Sequence, residues 1–345
     1  MTLAERSGAV GIIANPASGK DIRRLVAQAT TIGNQEKLAI VRRVILGLAG
    51  AGVARALLMP DPQGLARQAA RLPQSAPLPL PEIAWVDVAA RGTAEDSRRA
   101  AAQMAAEPVG CIVTLGGDGT VRAVSQGAGE TPLLALSTGT NNVLPTFLEA
   151  TVAGLAAGAV ARGRVALPDV AYRHKWLEVS VDGHPVDRAL VDVALLRGRF
   201  VGARAVWEPG SLLALAVTRA DPATIGVSAI AGALCPIGPR ESRGLAVWLA
   251  PDASRRIIVP LGPGLLAQVG IAATQELRID QELRWPIGEH TIVALDGERE
   301  LALAPGQQLG VRLRADGPWI VEGSQVMRAL AQMDSTHSTE QGEAP

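Results

Sequence analysis

The sequence has 345 residues, which is long enough for two domains that each bury a core of their own. Apolar residues make up 48% of the chain and aromatic residues only 3%, so we expect an aliphatic core of Ala, Val, Leu and Ile. The 33 basic and 33 acidic residues balance, and no basic groove with interleaved aromatic residues is visible. These features give no indication of a nucleic-acid partner or of an anionic membrane surface.

The cysteines and the N-terminus indicate a reducing compartment. Cys111 and Cys235 lie far apart in apolar surroundings, so we interpret them as buried thiols and not as a disulfide or a metal pair. Residues 1–6 lack the apolar core of a signal peptide, and no stretch of about 18 apolar residues occurs. We therefore expect a soluble cytoplasmic protein without a membrane span.

Strand-like and helix-like patterns alternate over residues 9–145, which predicts a parallel, doubly wound α/β sheet. The predicted strands are 9–14, 55–59, 83–88, 111–115 and 133–136. The predicted helices are one that begins after Asp21, then 35–50, 62–71 and 94–106. Thr93 and Asp96 have the spacing of a capping box before the last of these helices, and four prolines make 73–81 an extended loop.

After a predicted helix at 150–162, the pattern changes to short β-like runs with turns between them, which predicts a β-rich second domain. The runs are 176–181, 189–196, 212–217, 245–249, 257–261, 276–279, 291–295, 301–303 and 311–313. One helix at 224–234 is expected among them. An amphipathic helix at 324–333 is followed by a polar tail that we predict to be disordered.

Two apolar runs of the first half break abruptly into turns, G-G-D-G-T at 116–120 and S-T-G-T-N-N at 137–142. Glycine lets a ligand approach the main chain and reaches positive φ cheaply, and exposed N–H groups beside a helix start bind phosphate. Because the carboxyl ends of neighbouring parallel strands meet, we expect a crevice that holds phosphate, with Asp118 directed into it. The alternative is a tight turn at 116–119 in which Asp118 caps the following helix.

The first predicted strand ends in another turn of this kind, N-P-A-S-G-K at 15–20, where Lys20 would meet a phosphate or lie in solvent. In chain order, residues 15–20, 116–120 and 137–142 are the first, second and third turns. Two other phosphate motifs do not fit the sequence. A P-loop would need glycine at Ala14 and Ser or Thr at Asp21, and the dinucleotide-binding fingerprint would need glycine at Arg122.

Four motifs in one order carry a family resemblance. Residues 116–120 are the G-G-D-G-T signature of NAD kinases and diacylglycerol-kinase-like enzymes, and residues 15–20 resemble their first turn. Residues 139–142 resemble the G-T-x-N element, and residues 296–298 resemble the D-G-E of the second domain. The R-G-x-F-x-G-A-R-A-V-W stretch at 197–207 is most similar to the ATP-NAD kinase-like branch of this superfamily, which includes acetoin catabolism protein X.

The resemblance implies a two-domain, NAD kinase-like fold with the site in the cleft between the domains. The expected boundaries are 1–148 for an α/β nucleotide-binding domain, 149–318 for a β-rich substrate domain, 319–333 for a helix that returns to the first domain and 334–345 for a disordered tail. We also expect a homo-oligomer.

The resemblance also implies roles for particular residues. Asp118 would be the base or the positioning group for the accepting hydroxyl. Glu298 is the second candidate base, although Asp-Gly before it is also a strong hairpin-turn signal. The expected nucleotide-binding residues are Asn15, Ser18, Gly19, Lys20, Gly116, Gly117, Gly119, Thr120, Gly139, Thr140, Asn141 and Asn142. ATP would bring Mg²⁺ held largely by phosphates and water, so the metal ligands stay unassigned.

The implied activity is an ATP-dependent kinase that phosphorylates a hydroxyl, with the ribose 2′-OH of NAD as the best candidate and a link to acetoin catabolism. Two departures bear on the acceptor. Val143 stands where diacylglycerol-kinase-like enzymes usually have an acidic residue, and the T-P-T-G-S-T-A-Y turn of NAD kinases is missing, with only a faint echo of it at 226–232.

Two alternatives remain open at this point. A lipid kinase would need an exposed apolar groove, for which the aliphatic stretch 261–271 is the candidate. A non-catalytic nucleotide-binding regulator would keep the fold without turnover. Arg197, Arg199 and Arg204 would clamp phosphate or carry surface charge. The four histidines have no ligand spacing, and neither a zinc set nor a Ser-His-Asp arrangement is visible.

Overall fold

The computed structural model describes residues 8–16, 32–71, 78–139, 142–198, 209–297 and 299–340. These residues form two seven-stranded sheets and one four-stranded sheet. The first half alternates parallel strands with helices, and the strands that follow pair in antiparallel fashion. The predicted fold class is therefore confirmed.

Five short, apolar strands form the parallel part of the first sheet, in the order β3-β2-β1-β4-β5. They are β1 (Ala9–Ala14), β2 (Arg55–Leu58), β3 (Glu82–Trp85), β4 (Val109–Gly116) and β5 (Leu133–Ser137). Nearly every side chain of the central strands β1, β4 and β5 is buried, as expected when helices cover both faces of a parallel sheet. Their carboxyl ends lie side by side and carry the three turns of interest.

The helices of this half cover the two faces of the sheet. They are α1 (Asn34–Gly50), α2 (Leu65–Ala69), α3 (Ala94–Ala106), α4 (Asp118–Ser125) and α5 (Ala150–Ala161). Helices α1 and α5 pack backbone to backbone: a Cβ added to Gly47 would lie 2.2 Å from the carbonyl oxygen of Thr151. The predicted capping box of α3 is confirmed, because Thr93 and Asp96 bond each other's backbone N–H groups.

The second half is built mainly of antiparallel strands. In chain order come α6 (Leu167–Val170), β6 (Ala171–Arg173), β7 (Trp176–Val181), β8 (His184–Ala189), β9 (Asp192–Arg197), β10 (Leu212–Val217), α7 (Ser228–Leu234), β11 (Arg243–Leu249), β12 (Arg256–Gly262), β13 (Leu265–Arg278), β14 (Glu282–Pro286), β15 (Thr291–Leu295), β16 (Arg299–Leu303) and β17 (Gln308–Arg314). The sheets have the orders β12-β13-β11-β10-β9-β15-β16 and β14-β17-β7-β8, and an apolar core lies between them.

One prediction for this half was wrong in detail. The predicted strand 189–196 is divided between β8 and β9, because the backbone N–H groups of Leu190 and Val191 donate to the Asp296 carboxylate and turn the chain there. The aliphatic stretch 261–271, which was the candidate for an exposed apolar groove, forms a hairpin between β12 and β13. One face of this hairpin packs on α7, while Leu266 on the other is 71% exposed.

The chain ends on the first sheet. Strand β18 (Trp319–Val321) pairs in parallel with β5 and antiparallel with β6, which completes the order β3-β2-β1-β4-β5-β18-β6. Helix α8 (Gly323–Glu340) contacts α5 and runs past Met333, the residue at which its end was predicted. Among the residues that the structure describes, no helix combines the length and the apolar composition needed to cross a bilayer.

Candidate functional site

The first and second turns are joined directly at the carboxyl ends of β1 and β4. The backbone N–H of Asn15 donates to the carbonyl oxygen of Leu115 at 3.0 Å. The side-chain amide of Asn15 donates to the Thr120 hydroxyl at 3.1 Å. Asn15 and Thr120 were both predicted as nucleotide-binding residues, and these contacts bring them together.

Asp118 joins the second turn to the third. It is the first residue of α4 and is 9% exposed. Its carboxylate accepts the backbone N–H of Val143 at 2.9 Å and that of Leu144 at 2.8 Å. The N-cap residue of α4 is Gly117, so Asp118 occupies the first helical position and not the cap position that the alternative would give it. The described residues of all three turns therefore lie at one rim of the sheet.

The glycines of the second turn act through their small size. None of Gly116, Gly117 and Gly119 has a positive φ, and Gly117 is in extended backbone at φ −101°. A Cβ on Gly116 would lie 2.4 Å from the Thr120 hydroxyl oxygen. The first glycine is therefore required by the side chain that bonds Asn15, whereas we had expected the glycines to allow positive φ and the approach of a ligand to the main chain.

The third turn is closed by its own side chains. The Asn142 amide donates to the Ser137 hydroxyl at 2.7 Å and to the carbonyl oxygen of Gly139 at 3.1 Å. The Ser137 hydroxyl in turn donates to that same carbonyl oxygen at 2.6 Å. These bonds fix the shape of the turn directly before Val143 and Leu144, whose N–H groups meet Asp118.

A buried lysine that the sequence analysis missed supports the first turn. Lys37 of α1 is fully buried, and its ammonium group donates to the carbonyl oxygens of Pro16 at 3.0 Å and Asn15 at 3.3 Å. Lys37 lies four residues before Val41, among the buried residues of the helix. A lysine at a core position of an amphipathic helix was the signal that would have identified it.

A contact between the two halves also involves residues outside the predicted list. Asp296, which follows β15, accepts backbone N–H groups of Leu190 at 3.1 Å and Val191 at 2.7 Å. The Nε of Arg122, one helical turn after Asp118, lies 3.7 Å from Asp296 Oδ2, and both side chains are buried. The D-G-E turn thus reaches the G-G-D-G-T helix through its aspartate.

Asp192 adds a third carboxyl group to this region. Burial, followed by the negative charges of Asp296 and Asp118, raises the pKa of Asp192 well above its usual value of 3.8. Burial also raises the pKa of Asp296, against the opposing effect of the Arg122 guanidinium. Arg122 Nη1 is buried and has no hydrogen-bond partner among the residues described. We call Asp118, Arg122, Asp192 and Asp296 the charge cluster.

A cavity of about 390 Å³ lies beside the third turn. Its walls include the strand ends Leu136 and Ser137, Arg43 of α1, and the exposed ring of Phe147. Arg43 also pairs with Glu149 at the same rim, at 3.3 Å. An apolar cavity with a cation and an aromatic ring at its edge has the composition of a small-molecule site.

Several predicted residues lie outside the described part of the chain. They are Ser18, Gly19, Lys20, Thr140, Asn141, Glu298, Arg199 and Arg204. Arg197 is described, and its guanidinium pairs with Glu289 at 2.8 Å in a half-exposed position. Within the described ranges, no group of three or more His, Cys, Asp or Glu residues is arranged to hold a metal ion.

Comparison with solved structures gives distant matches. A yeast NADH kinase complexed with NADH is 16% identical, with 91% of this chain and 82% of that chain covered and a TM-score of 0.48. An Archaeoglobus fulgidus NAD kinase in complex with ATP is 13% identical, with coverages of 94% and 97% and a TM-score of 0.40. A putative diacylglycerol kinase from Bacillus anthracis is 11% identical, with coverages of 92% and 98% and a TM-score of 0.44. No function follows from matches at these scores.

Sequence comparison gives a close relative. Residues 10–165 match the family model of the ATP-NAD kinase N-terminal domain, and residues 175–316 match that of the acetoin catabolism protein X C-terminal domain. Acetoin catabolism protein X of Cupriavidus necator is 41% identical over 321 residues, which cover 90% of this chain and 89% of that protein. The predicted superfamily is thereby confirmed, and the chain belongs to the acetoin catabolism protein X family, with a first half that matches the ATP-NAD kinase N-terminal domain.

Proposed function

We propose that the chain is an ATP-dependent phosphotransferase that phosphorylates a hydroxyl group, with the ribose 2′-OH of NAD as the first acceptor to test. The contact of the Asp118 carboxylate with the Val143 and Leu144 N–H groups is the observation that carries the proposal. It brings the G-G-D-G-T and G-T-N-N turns to one rim. The match to an ATP-NAD kinase domain supports it. Phosphoryl transfer depends mainly on positioning and charge stabilisation, which such a rim would supply.

The residues at this rim suit a nucleotide. The N-terminus of α4 has no side-chain cap, so its first N–H groups and the helix dipole favour a phosphate beside Gly117. The cavity of about 390 Å³ next to the third turn would take the nucleoside, with Phe147 against the base and Arg43 at the rim. Asn15 and Thr120 would hold the two turns in register around the phosphates.

Mg²⁺ would enter with ATP and neutralise charge on the transferred phosphoryl group. The most central carboxylate, Asp118, is mostly buried and already bonded to the third turn. Phosphate and water oxygens would therefore supply most of the ligands, as is usual for Mg²⁺ bound with a nucleotide.

Asp118 would serve first as an organiser of the rim. A carboxylate is a weak base for an alcohol, so it would accept the proton late or chiefly orient the hydroxyl. Arg122, which is buried on the same helix, would balance the negative charge of the cluster. The second half would close over this region through the contact between Asp296 and Arg122.

The contact of Asp118 with the Val143 and Leu144 N–H groups also favours a second candidate function. A carboxylate that is nine-tenths buried and bonded to main-chain N–H groups can hold two turns together as well as act in catalysis. A non-catalytic nucleotide-binding regulator, with a role in acetoin catabolism, would need Asp118 only for this structural contact.

The test uses the purified full chain with ATP, Mg²⁺ and separate acceptors: NAD, NADH, diacylglycerol in mixed micelles, and small diols. ADP release and phosphorylated product are measured together. For a kinase, Asp118→Asn should lower turnover by roughly 100-fold or more while ATP affinity changes far less. A regulator would bind ATP in both forms and turn over neither.

Asp61→Asn is the matched control for this substitution. Asp61 is equally buried, and its carboxylate also accepts backbone N–H groups, those of Leu65 and Ala66, at the start of a helix. Because Asp61 and Asn15 line one small cleft, Asp61→Asn reports the cost of removing such a carboxylate at this rim but outside the second turn. Equal turnover by the wild type and Asp118→Asn, with product formed, would refute a role for Asp118 in the reaction.

A further inference from the structure

The three carboxyl groups of the charge cluster differ in the hydrogen bonds that they accept. Both oxygens of Asp118 accept main-chain N–H groups directly after the third turn. Both oxygens of Asp296 accept main-chain N–H groups where β8 gives way to β9. Asp192 differs, because no residue that the structure describes donates a hydrogen bond to its carboxyl group. Asp192 is therefore the carboxyl group of the cluster whose oxygens are left to bind a ligand.

Asp192 lies at the junction of the two halves, with access to open space. Its backbone N–H donates to Asp296 Oδ1 at 3.3 Å, and its carbonyl oxygen accepts the backbone N–H of Asp296 at 3.0 Å. Asp296 in turn meets Arg122 of α4, one helical turn after Asp118. Asp192 is 8% exposed, and its oxygens, unlike Nη1 of Arg122, are not sealed from solvent. Nearly all buried polar groups are hydrogen-bonded, so one that is unpaired but reachable indicates a ligand.

The carboxyl group of Asp192 is costly for the fold. Its burial, followed by the negative charges of Asp296 and Asp118, raises its pKa. Neither effect is offset by a hydrogen bond, so the ionised form of Asp192 destabilises the folded state. A destabilising ionisable group of this kind is typical of a functional site, where activity is traded against stability. The raised pKa also makes this carboxylate a stronger base than an ordinary aspartate.

The other charged and titratable groups at this junction do not compete for a proton. Asp118 and Asp296 are occupied by main-chain donors, and the guanidinium of Arg122 is permanently charged. His174 is fully buried, and its Nε2–H donates to the carbonyl oxygen of Leu190 at 2.8 Å. Burial lowers the pKa of His174 to about 3, so its ring stays neutral and is a weak proton acceptor.

We propose that the Asp192 carboxylate accepts a hydrogen bond from the hydroxyl of the phosphate acceptor and takes its proton during transfer, while Asp118 holds the turns together. The hydroxyl oxygen forms a bond to the γ-phosphorus of ATP, and the bond from that phosphorus to the β,γ-bridging oxygen breaks. The electron pair of the broken bond leaves with ADP, and the proton moves to the carboxylate. This inference rests on the proposed phosphotransferase function and adds the group that receives the proton.

The test measures turnover by the full chain with MgATP and the acceptors named above, NAD first. Asp192→Asn keeps the size of the side chain and removes its charge, so kcat should fall roughly 100-fold or more while ATP affinity is unchanged. Asp192→Glu keeps a carboxylate and should retain more activity than Asp192→Asn. Thr218→Val is the matched control at the same junction, because Thr218 is fully buried and its hydroxyl donates to the carbonyl oxygen of Leu190 at 2.7 Å. It should leave kcat close to the wild-type value.

The pH dependence of kcat/KM separates a proton acceptor from a structural carboxyl group. In the wild type, kcat/KM should fall as the pH drops below the pKa of Asp192, because the protonated carboxyl group cannot take a proton. In Asp192→Asn this fall should be lost. If circular dichroism shows that Asp192→Asn does not fold, Asp192→Ser takes its place.

Equal kcat for the wild type and Asp192→Asn, with ATP bound and product formed by both, overturns this inference alone. A wild-type kcat/KM that keeps its pH dependence in Asp192→Asn overturns it as well. Absence of turnover by the wild type with every acceptor overturns the kinase proposal and this assignment together, so the two failures are distinguishable.

Discussion

Arg122 and Asp296 meet across the boundary between the parallel sheet and the antiparallel sheets, with Arg122 Nε 3.7 Å from Asp296 Oδ2 and side chains 6% and 0% exposed. Asp296 also accepts three backbone N–H groups, from Leu190, Val191 and Asp192. A buried carboxylate held in this way needs its cation, because an unpaired buried charge is costly. The contact therefore couples the stability of the two halves.

Loss of the guanidinium should destabilise the protein strongly. Arg122→Met should lower the free energy of unfolding by about 3–5 kcal/mol, because it leaves Asp296 buried without its cation. Urea unfolding at pH 7.5 measures the change. Arg98→Ala is the control: Arg98 pairs with Glu95 on the exposed face of α3, and its loss should cost far less because water screens such a pair. A cost for Arg122→Met no larger than for Arg98→Ala would contradict the assignment.

Asp192 should make stability depend on pH. Because its pKa is raised in the folded state, the protonated form is favoured there, and stability falls as pH rises above about 3.8 towards the folded pKa. Asp192→Asn removes this ionisation, so its melting temperature relative to wild type should rise with pH. The gain in the free energy of unfolding of Asp192→Asn over the wild type should be larger at pH 8 than at pH 5, and of order 1 kcal/mol. A difference that is constant between these pH values would count against a buried, titrating Asp192.

The close contact of α1 with α5 should not tolerate a methyl group. A Cβ on Gly47 would lie 2.2 Å from the Thr151 carbonyl oxygen, so Gly47→Ala must force the helices apart and should cost roughly 1–3 kcal/mol or more. Gly210→Ala, at a position with nothing within 4 Å, should be close to neutral. Thermal unfolding of both variants checks the prediction. Equal melting temperatures would show that the helices adjust freely.

Lys37 should matter for both stability and nucleotide binding. Lys37→Met leaves the carbonyl oxygens of Pro16 and Asn15 without this donor, at a cost of roughly 1–3 kcal/mol. If the first turn binds phosphate, ATP affinity should fall as well. Calorimetric titration with ATP, well below the melting temperature, separates the two effects. Unchanged affinity in a folded variant would remove the first turn from the nucleotide site.

The location of the rim could be predicted from sequence, whereas its bonding could not. Apolar runs that end in glycine turns fix which strand ends meet, because parallel strands place their carboxyl ends at one edge. The partner of Asp118 is a main-chain segment 25 residues further on, and main-chain donors leave no mark in a residue pattern. The sequence therefore suggested a carboxylate directed into a crevice, where the structure has one bonded to the third turn.

The same limit explains the missed residues of the second half. The run 189–196 reads as one apolar strand, and only the distant Asp296 reveals why it is divided at Leu190 and Val191. Asp192 was the single charged residue in that run, and a carboxyl group among apolar neighbours was the available signal. The bond of its backbone N–H to Asp296, which in turn meets Arg122 of the G-G-D-G-T helix, depends on tertiary structure alone.

The insertion of β18 between β5 and β6 has a consequence for biosynthesis. Until Trp319–Val321 leaves the ribosome, the edge of β5 stays open, and the first sheet of the nascent chain is incomplete. An open apolar edge promotes pairing with other chains. Recombinant fragments that stop after α5 should therefore aggregate, and fusion partners that delay release of the C-terminus should lower the yield of folded protein.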